Sequence, residues 1–383
     1  MKTIINCLSI ATIIMALTSC GGQGDTSNPT NNDSGENPII TVTDMKGREV
    51  QIDRTKVDRP ICLGAGALRL YSYVCDVNKL VGVEDIDRQP FGVGTALRPY
   101  YQANKDIFAT KPTIGVGGPA NQSPDNEKIL AARPNIIISI YSKDAANAEL
   151  DKLNIPYVII SNGSKGVYSQ ETADSITLLG KIFGREERAK ELNDYIAATK
   201  EGLENLSQNN EKNYVGCIGN WGKTSLTGSS VHYPVLDYAK ANNIVDSMAE
   251  FIDEKAQVTL DKEKLVASQP DRIFLDGAGL DGFLAEYKTD PTTYDAMNAI
   301  KNGETYILLP YNAYYTNLEI QIISTYYVAS VTHPTEFADF DVASVANEVT
   351  KKFLGKEMYD EMKDHKTAFG GYRKVNIKDL VSE

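Results

Sequence analysis

At 383 residues, with 42% hydrophobic and 23% charged content, the chain is long enough for two domains and can bury a sizeable core. Its formal net charge of −12 excludes the basic surface that phosphate neutralisation needs, so nucleic acid is not a partner. Three histidines without ligand spacing and no Cys-x-x-Cys pair exclude a recognisable zinc motif.

Residues 1–19 carry one Lys and then a mostly apolar run from Ile4 to Leu17, the pattern of a secretory signal. Its end, Leu17-Thr18-Ser19-Cys20, resembles a bacterial lipobox, in which Cys20 is lipidated and becomes the new N-terminus. Residues 20–38 then form a polar tether without apolar residues able to build a core. Beyond the anchor the cysteines are Cys62, Cys75 and Cys217. Cys62 and Cys75 could pair, but their apolar settings favour buried free thiols.

Residues 39–168 open with "IITVTDMKGREVQI", an alternating pattern around a Lys-Gly turn that predicts a β-hairpin. The short apolar runs "ICLGAG", "LVGVED", "NIIISIY" and "YVIISNG" alternate with helical stretches, which predicts an α/β lobe with a mainly parallel sheet. Residues 169–206 read as a bridging helical region, with a break at Gly184. Residues 207–383 give a second α/β series, "NYVGCIG", "NIVDSM", "DRIFLDG" and "TYILLPY", followed by a mostly helical tail. Ligands of open α/β sheets bind outside the carboxyl ends of the strands.

One internal repeat stands out. "EKILAARPNIII" from Glu127 and "EKLVASQPDRIFL" from Glu263 both run from Glu-Lys through a short helix and a long polar residue to Pro and a strand. The residue before Pro disfavours helix, so each helix stops there. Helix–Pro–strand is also a common connector, yet the repeat supports two lobes of related design, and ligand sites favour such interfaces.

Several motifs fail on inspection. "GAGLDG" (Gly277 to Gly282) fits a dinucleotide fingerprint in letters, but no clear strand with an acidic residue follows it. "GCIGNWGKT" is out of register for a phosphate loop, with Cys217 where Gly is needed. No nucleophile signature such as G-x-S-x-G is present. His232 reads either as a locally bonded loop residue or as a ligand contact. The stronger signal is aromatic: 21 tyrosines, several in loops at predicted strand ends, of which "LLPYNAYYTN" (Leu308 to Asn317) is the densest. Tyrosine offers a rigid flat face with one polar handle, suited to a flat or bulky ligand. Because three rings in one loop cannot all face one way, Tyr314 is expected to pack inward and leave Tyr311, Asn312 and Tyr315 for a ligand.

From "ITVTDMKGREV" through "RPICLGAGALRLYSYVCDVNKLVGVED", "KPTIGVGG", "NEKILAARPNIII", "LLGKIFGREERAKELNDYI", "IKNGETYILLPYN" and "THPTEFADFD", the chain resembles the substrate-binding proteins of iron-siderophore, cobalamin and haem ABC importers. The ordered set, covering about Ile39 to Tyr372, is specific where no single piece is. The resemblance implies two α/β lobes bridged by a rigid helix, a ligand cleft between them, small lobe closure and no catalysis. It implies a lipid-anchored monomer in the cell envelope that hands a metal chelate to a permease–ATPase complex and carries no cofactor or resident metal of its own. Glu127 and Glu263 match the family's permease-docking glutamates, although ordinary first-turn acids would look the same. The implied ligand contacts are Gly66, Ala67, Leu68, Arg69, Tyr101 and Gly118 on the first lobe. On the second they are Trp221, His232, Tyr233, Tyr311, Asn312, Tyr315 and Asn317. Arg69 would meet an anionic ligand group. The ligand itself is expected to be an iron complex, with cobalamin, haem or a molybdate-type oxyanion as alternatives. A surface hydrolase or an adhesin would instead require a nucleophile beside a base, or a macromolecular partner.

Overall fold

The fold is that of a computed structural model, and it is described over residues 38–88, 97–118, 122–218, 225–253, 257–365 and 368–382. The expected signal sequence, Cys20 and Trp221 lie outside the described residues.

The chain opens with the predicted hairpin, β1 (Ile39–Thr43) and β2 (Glu49–Asp53), paired antiparallel around a turn in which Gly47 takes φ +75°. A three-stranded parallel sheet follows, β3 (Pro60–Leu63), β4 (Ile136–Ser139) and β5 (Tyr157–Ile159), in spatial order β3-β4-β5. The second sheet has five strands: β6 (Asn209–Gly216), β8 (Ala241–Asn243), β10 (Arg272–Asp276), β11 (Thr305–Leu308) and β12 (Arg373–Val375). Its order is β12-β11-β10-β6-β8, parallel except for the antiparallel edge β12. Between β6 and β10 in sequence, β7 (Gly228–Ser230) and β9 (Gln257–Thr259) form a small antiparallel pair. The expected two-lobed α/β architecture is therefore present.

Two predicted strands are corrected. "NIVDSM" is a 3₁₀ turn, Ile244–Ser247, because the Asn243 side chain accepts the Val245 N–H and bends the chain away from β8. "LVGVED" contributes only a single bridge, Val83 to Thr113. There the Glu84 side chain turns inward to accept the Gly64 N–H at 3.0 Å.

The repeat is a structural one. The helices Asn126–Ala132 and Lys262–Ser268 are N-capped by Asp125 and Asp261 and stop at Arg133 and Gln269, both left-handed. The strands β4 and β10 follow each proline. The residue before a proline is kept out of the right-handed helical region, and these two long polar residues resolve that by taking φ of 52° and 46°.

Gly184, left-handed at φ 63°, caps the helix Gln170–Phe183. The helix Glu186–Glu204 then folds back along it, with Asn193 Nδ2 donating to Ala173 O at 3.1 Å. Its 19 residues span about 28 Å, and along it Arg188 Nε donates to Tyr73 O while the Thr199 carbonyl accepts from the Tyr326 hydroxyl.

The sheets share one core. Side chains alternate across each pleat. Ile136 and Ile138 of β4, Phe274 of β10, and Tyr306 and Leu308 of β11 all join a single central cluster. The intervening Ile137 belongs to an outer cluster of the first lobe, and Ile273, Leu275 and Ile307 to one of the second. The helix Leu318–Thr332 runs through the central cluster, buried on nearly every side, with its buried Glu319 and Gln321 accepting from Tyr73 and the Val167 N–H. Among the described residues this shared core packs the two lobes against each other.

Candidate functional site

The carboxyl ends of β6, β10 and β11 lie side by side, and the chain leaving them builds a cavity of about 420 Å³. Ile218 follows β6, Asp276 ends β10, and Tyr311 and Asn312 follow β11; Ser230, Tyr233 and Gln257 complete the wall. A second cavity of about 260 Å³ lies on the other side of Tyr311 and Asn312, bordered by Ser164, Gly166, Tyr315 and Gln321 among others. Gly166 belongs to the first lobe and Gln321 to the central helix, so this space lies between the lobes.

The loop Tyr311–Asn317 is held firmly. Asn317 donates from its backbone N to Tyr311 O at 2.7 Å, and from Nδ2 to Tyr311 O and Ala313 O. Arg69, from the first lobe, donates through Nη2 to Ala313 O and Tyr314 O and through Nε to Asn317 Oδ1. These bonds hold Tyr314 and Tyr315 at φ 63° each, a conformation that costs a non-glycine residue on the order of 1–2 kcal/mol. The Tyr314 ring lies against Arg98, 4.8 Å from guanidinium to ring centre, and Arg98 is itself anchored by Asp87 at 2.7 Å and by the Ile86 carbonyl. Tyr314 thus packs inward and Asn312 is exposed, as the reading of the loop expected.

The expected contacts separate into groups. Tyr233, Tyr311, Asn312 and Tyr315 line the cavities. Arg69 and Asn317 are both fully buried and hold the loop; Arg69 Nε and Nη2 bond to it, while its Nη1 is buried without a partner. Gly66, Ala67 and Leu68 start the helix Ala67–Val74; Gly66, at φ 99°, has the Asn162 carbonyl 2.7 Å from where a Cβ would stand. Tyr101, Gly118 and His232 border neither cavity. The His232 N–H caps onto Asp246 Oδ1 at 2.7 Å, and its ring is exposed. With Asp237 and Asp246 it offers three ligand atoms within 4.8 Å of one another, a spacing a cation could bridge. Desolvation, with Asp246 nearby, raises Asp237 to about 6 even though its side chain meets solvent.

The residue that sequence reading passed over is Asp276. It is 5% exposed, and its Oδ1 accepts the Ala278 N–H at 2.8 Å. Burial pushes it up to about 7. Its signal was the strand "RIFLD" ending in a carboxylate where ligands approach. Near it, the Tyr233 hydroxyl is buried without a hydrogen-bond partner, as is Gln321 Nε2 beside the second cavity. Such groups are costly unless a ligand or water satisfies them. Nothing among the described residues couples a nucleophile to a base here; Cys217 is buried, and its thiol is pushed well up by that burial. Cys62 and Cys75 are likewise free.

Comparison with known proteins completes the description. The family described as periplasmic binding protein matches residues 79–311. No curated protein matches the chain by sequence. Among solved structures, a periplasmic solute-binding protein of Veillonella parvula is similar with a TM-score of 0.62 at 16% identity, over 85% of this chain and 96% of that one. The molybdate periplasmic binding protein MolA of Haemophilus influenzae, bound to molybdate, gives 0.61 at 18%, over 83% and 98%. The periplasmic haem-binding protein HutB of Vibrio cholerae gives 0.52 at 16%, over 72% and 99%.

Proposed function

The chain belongs to the periplasmic binding protein family, and on that premise we propose that it is the solute-binding component of an ABC importer that captures an iron complex of the siderophore type. Membership of a binding family accords with the expectation of a receptor and not an enzyme. The observation that carries the reading is the pair of cavities on either side of Tyr311 and Asn312, walled by the rings of Tyr233, Tyr311 and Tyr315. Rigid aromatic faces at the mouths of parallel strands suit a bulky chelate, and the pinned loop lowers the ordering cost of holding one. The similar structures carry molybdate and haem in their names, so the fold serves chemically different ligands, and those classes are the alternatives here.

In this reading the protein is exported and tethered through Cys20, and acts as a monomer that meets the permease and its ATPase. Glu127 and Glu263 are exposed in the first turns of the two repeat helices, free to form charge-assisted pairs with permease arginines. The test is the absorption spectrum and metal content of protein isolated from its native envelope. A ferric charge-transfer band with stoichiometric iron is expected. A Soret band, a corrin spectrum or molybdenum in its place would replace the iron complex with the corresponding alternative.

A further inference from the structure

This inference rests on the receptor reading and concerns the charge of the ligand. The larger cavity has an acidic floor. Asp276 is 95% removed from solvent, and among the described residues its side chain has one hydrogen bond, to the Ala278 N–H, and no ion pair. Tyr233, 2% exposed on the same wall, has a hydroxyl without any partner. Its ring tilts against that of Tyr311, with centres 5.6 Å apart. Arg69 borders neither cavity: its Nε and Nη2 hold the loop, and its unpartnered Nη1 is buried away from both spaces.

A carboxyl group in such a place repels a ligand anion and is costly when ionised alone, but is a strong partner for a cation brought to it. We propose that this cavity reads a positively charged nitrogen on the ligand, a protonated amine or amidine, with Asp276 as counter-ion and the Tyr233 hydroxyl as a neighbouring acceptor. The faces of Tyr233 and Tyr311 add ring surfaces that favour a cation over an anion. The chelated metal then occupies the space toward Asn312 and Tyr315, between the lobes. Asp276 therefore selects among chelates by their periphery and not by their metal.

The probes are two ferric trihydroxamates identical except at one end, where one bears a free ammonium and the other its N-acetyl amide. An anionic ferric tris-catecholate, haem and cobalamin complete the set, with binding read by protein fluorescence. The ammonium probe is expected to bind on the order of tenfold tighter than its acetylated twin. Asp276→Asn, which keeps an oxygen for the Ala278 N–H, should bring the two probes to equal affinity and so erase that preference. Tyr233→Phe, which breaks no protein hydrogen bond, should reduce the preference in part. Equal or tighter binding of the acetylated probe, the catecholate, haem or cobalamin overturns the charge assignment and leaves the receptor reading standing. So does a preference that survives in Asp276→Asn. If none of the five binds, the iron-chelate reading falls, and this inference with it.

Discussion

Arg69 Nη2 donates to the carbonyl oxygen of Tyr314 at 2.6 Å, joining the first helix of the first lobe to a residue 245 positions away in the loop that walls the second lobe's cavity. The same guanidinium also holds Ala313 O and Asn317 Oδ1. The loop that walls both cavities is thus shaped by a residue that borders neither of them.

Arg69→Ala should leave the buried Tyr314 carbonyl and the Asn317 amide oxygen short of a donor, leave Ala313 O to Asn317 Nδ2 alone, and release two left-handed tyrosines. A loss of about 3 kcal/mol or more in urea unfolding is expected. Arg69→Lys should recover only part of it, because an ammonium cannot span the three acceptors as the planar fork does. Hydrogen exchange in residues 311–317 should quicken in both variants.

Glu84 is buried, with Asp87 nearby, and is pushed up to about 8. The folded state therefore binds a proton that the unfolded state releases near its ordinary carboxylate value. The stability this contributes is present at low pH and is lost as pH rises from about 5 to about 8. Glu84→Gln still offers an oxygen to the Gly64 N–H, so its stability should change less than the wild type's across that window. Denaturant melts at pH 5, 6.5 and 8 measure the difference.

Asp276 follows the same sign with a midpoint at about 7. Cys217, Tyr233, Tyr311 and Tyr372 share its surroundings, and burial pushes each of them up, so they stay neutral in this range. Asp276→Asn should raise the stability of ligand-free protein at pH 8 by on the order of 1–3 kcal/mol and leave it nearly unchanged at pH 5. A variant less stable at pH 8 would mean that the carboxylate has a partner inside the protein.

Reversing both repeat glutamates, Glu127→Lys with Glu263→Lys, should leave the fold and chelate affinity unchanged, because both side chains are exposed and lie away from the cavities. Uptake through the permease should fall at least tenfold, with each single change costing less. Unchanged uptake would reduce the two residues to first-turn helix acids.

Local pattern made much of this legible. "NIIISIY" reads as a buried strand because both of its faces are covered, Ile137 by one cluster and Ile136 and Ile138 by another. The two Glu-Lys repeats and the break at Gly184 follow from proline and glycine backbone preferences alone. "NIVDSM" misled because its apolar pair suits a strand, while the Asn243 at its own start caps it into a 3₁₀ turn. The hold of Arg69 on the loop was not legible, since contacts between residues hundreds of positions apart leave no local periodicity. Asp276 was passed over because a single acid at a strand end gains meaning only when the neighbouring strands bring Tyr233 and Tyr311 beside it.

The most direct test is thermal unfolding of the purified mature protein against ferric hydroxamates, ferric catecholates, haem, cobalamin and molybdate. One ferric chelate is predicted to raise Tm saturably, with about 2.7 kcal/mol of stabilisation at a hundredfold excess over its Kd. A melting curve unmoved by every one of these ligands would contradict the account.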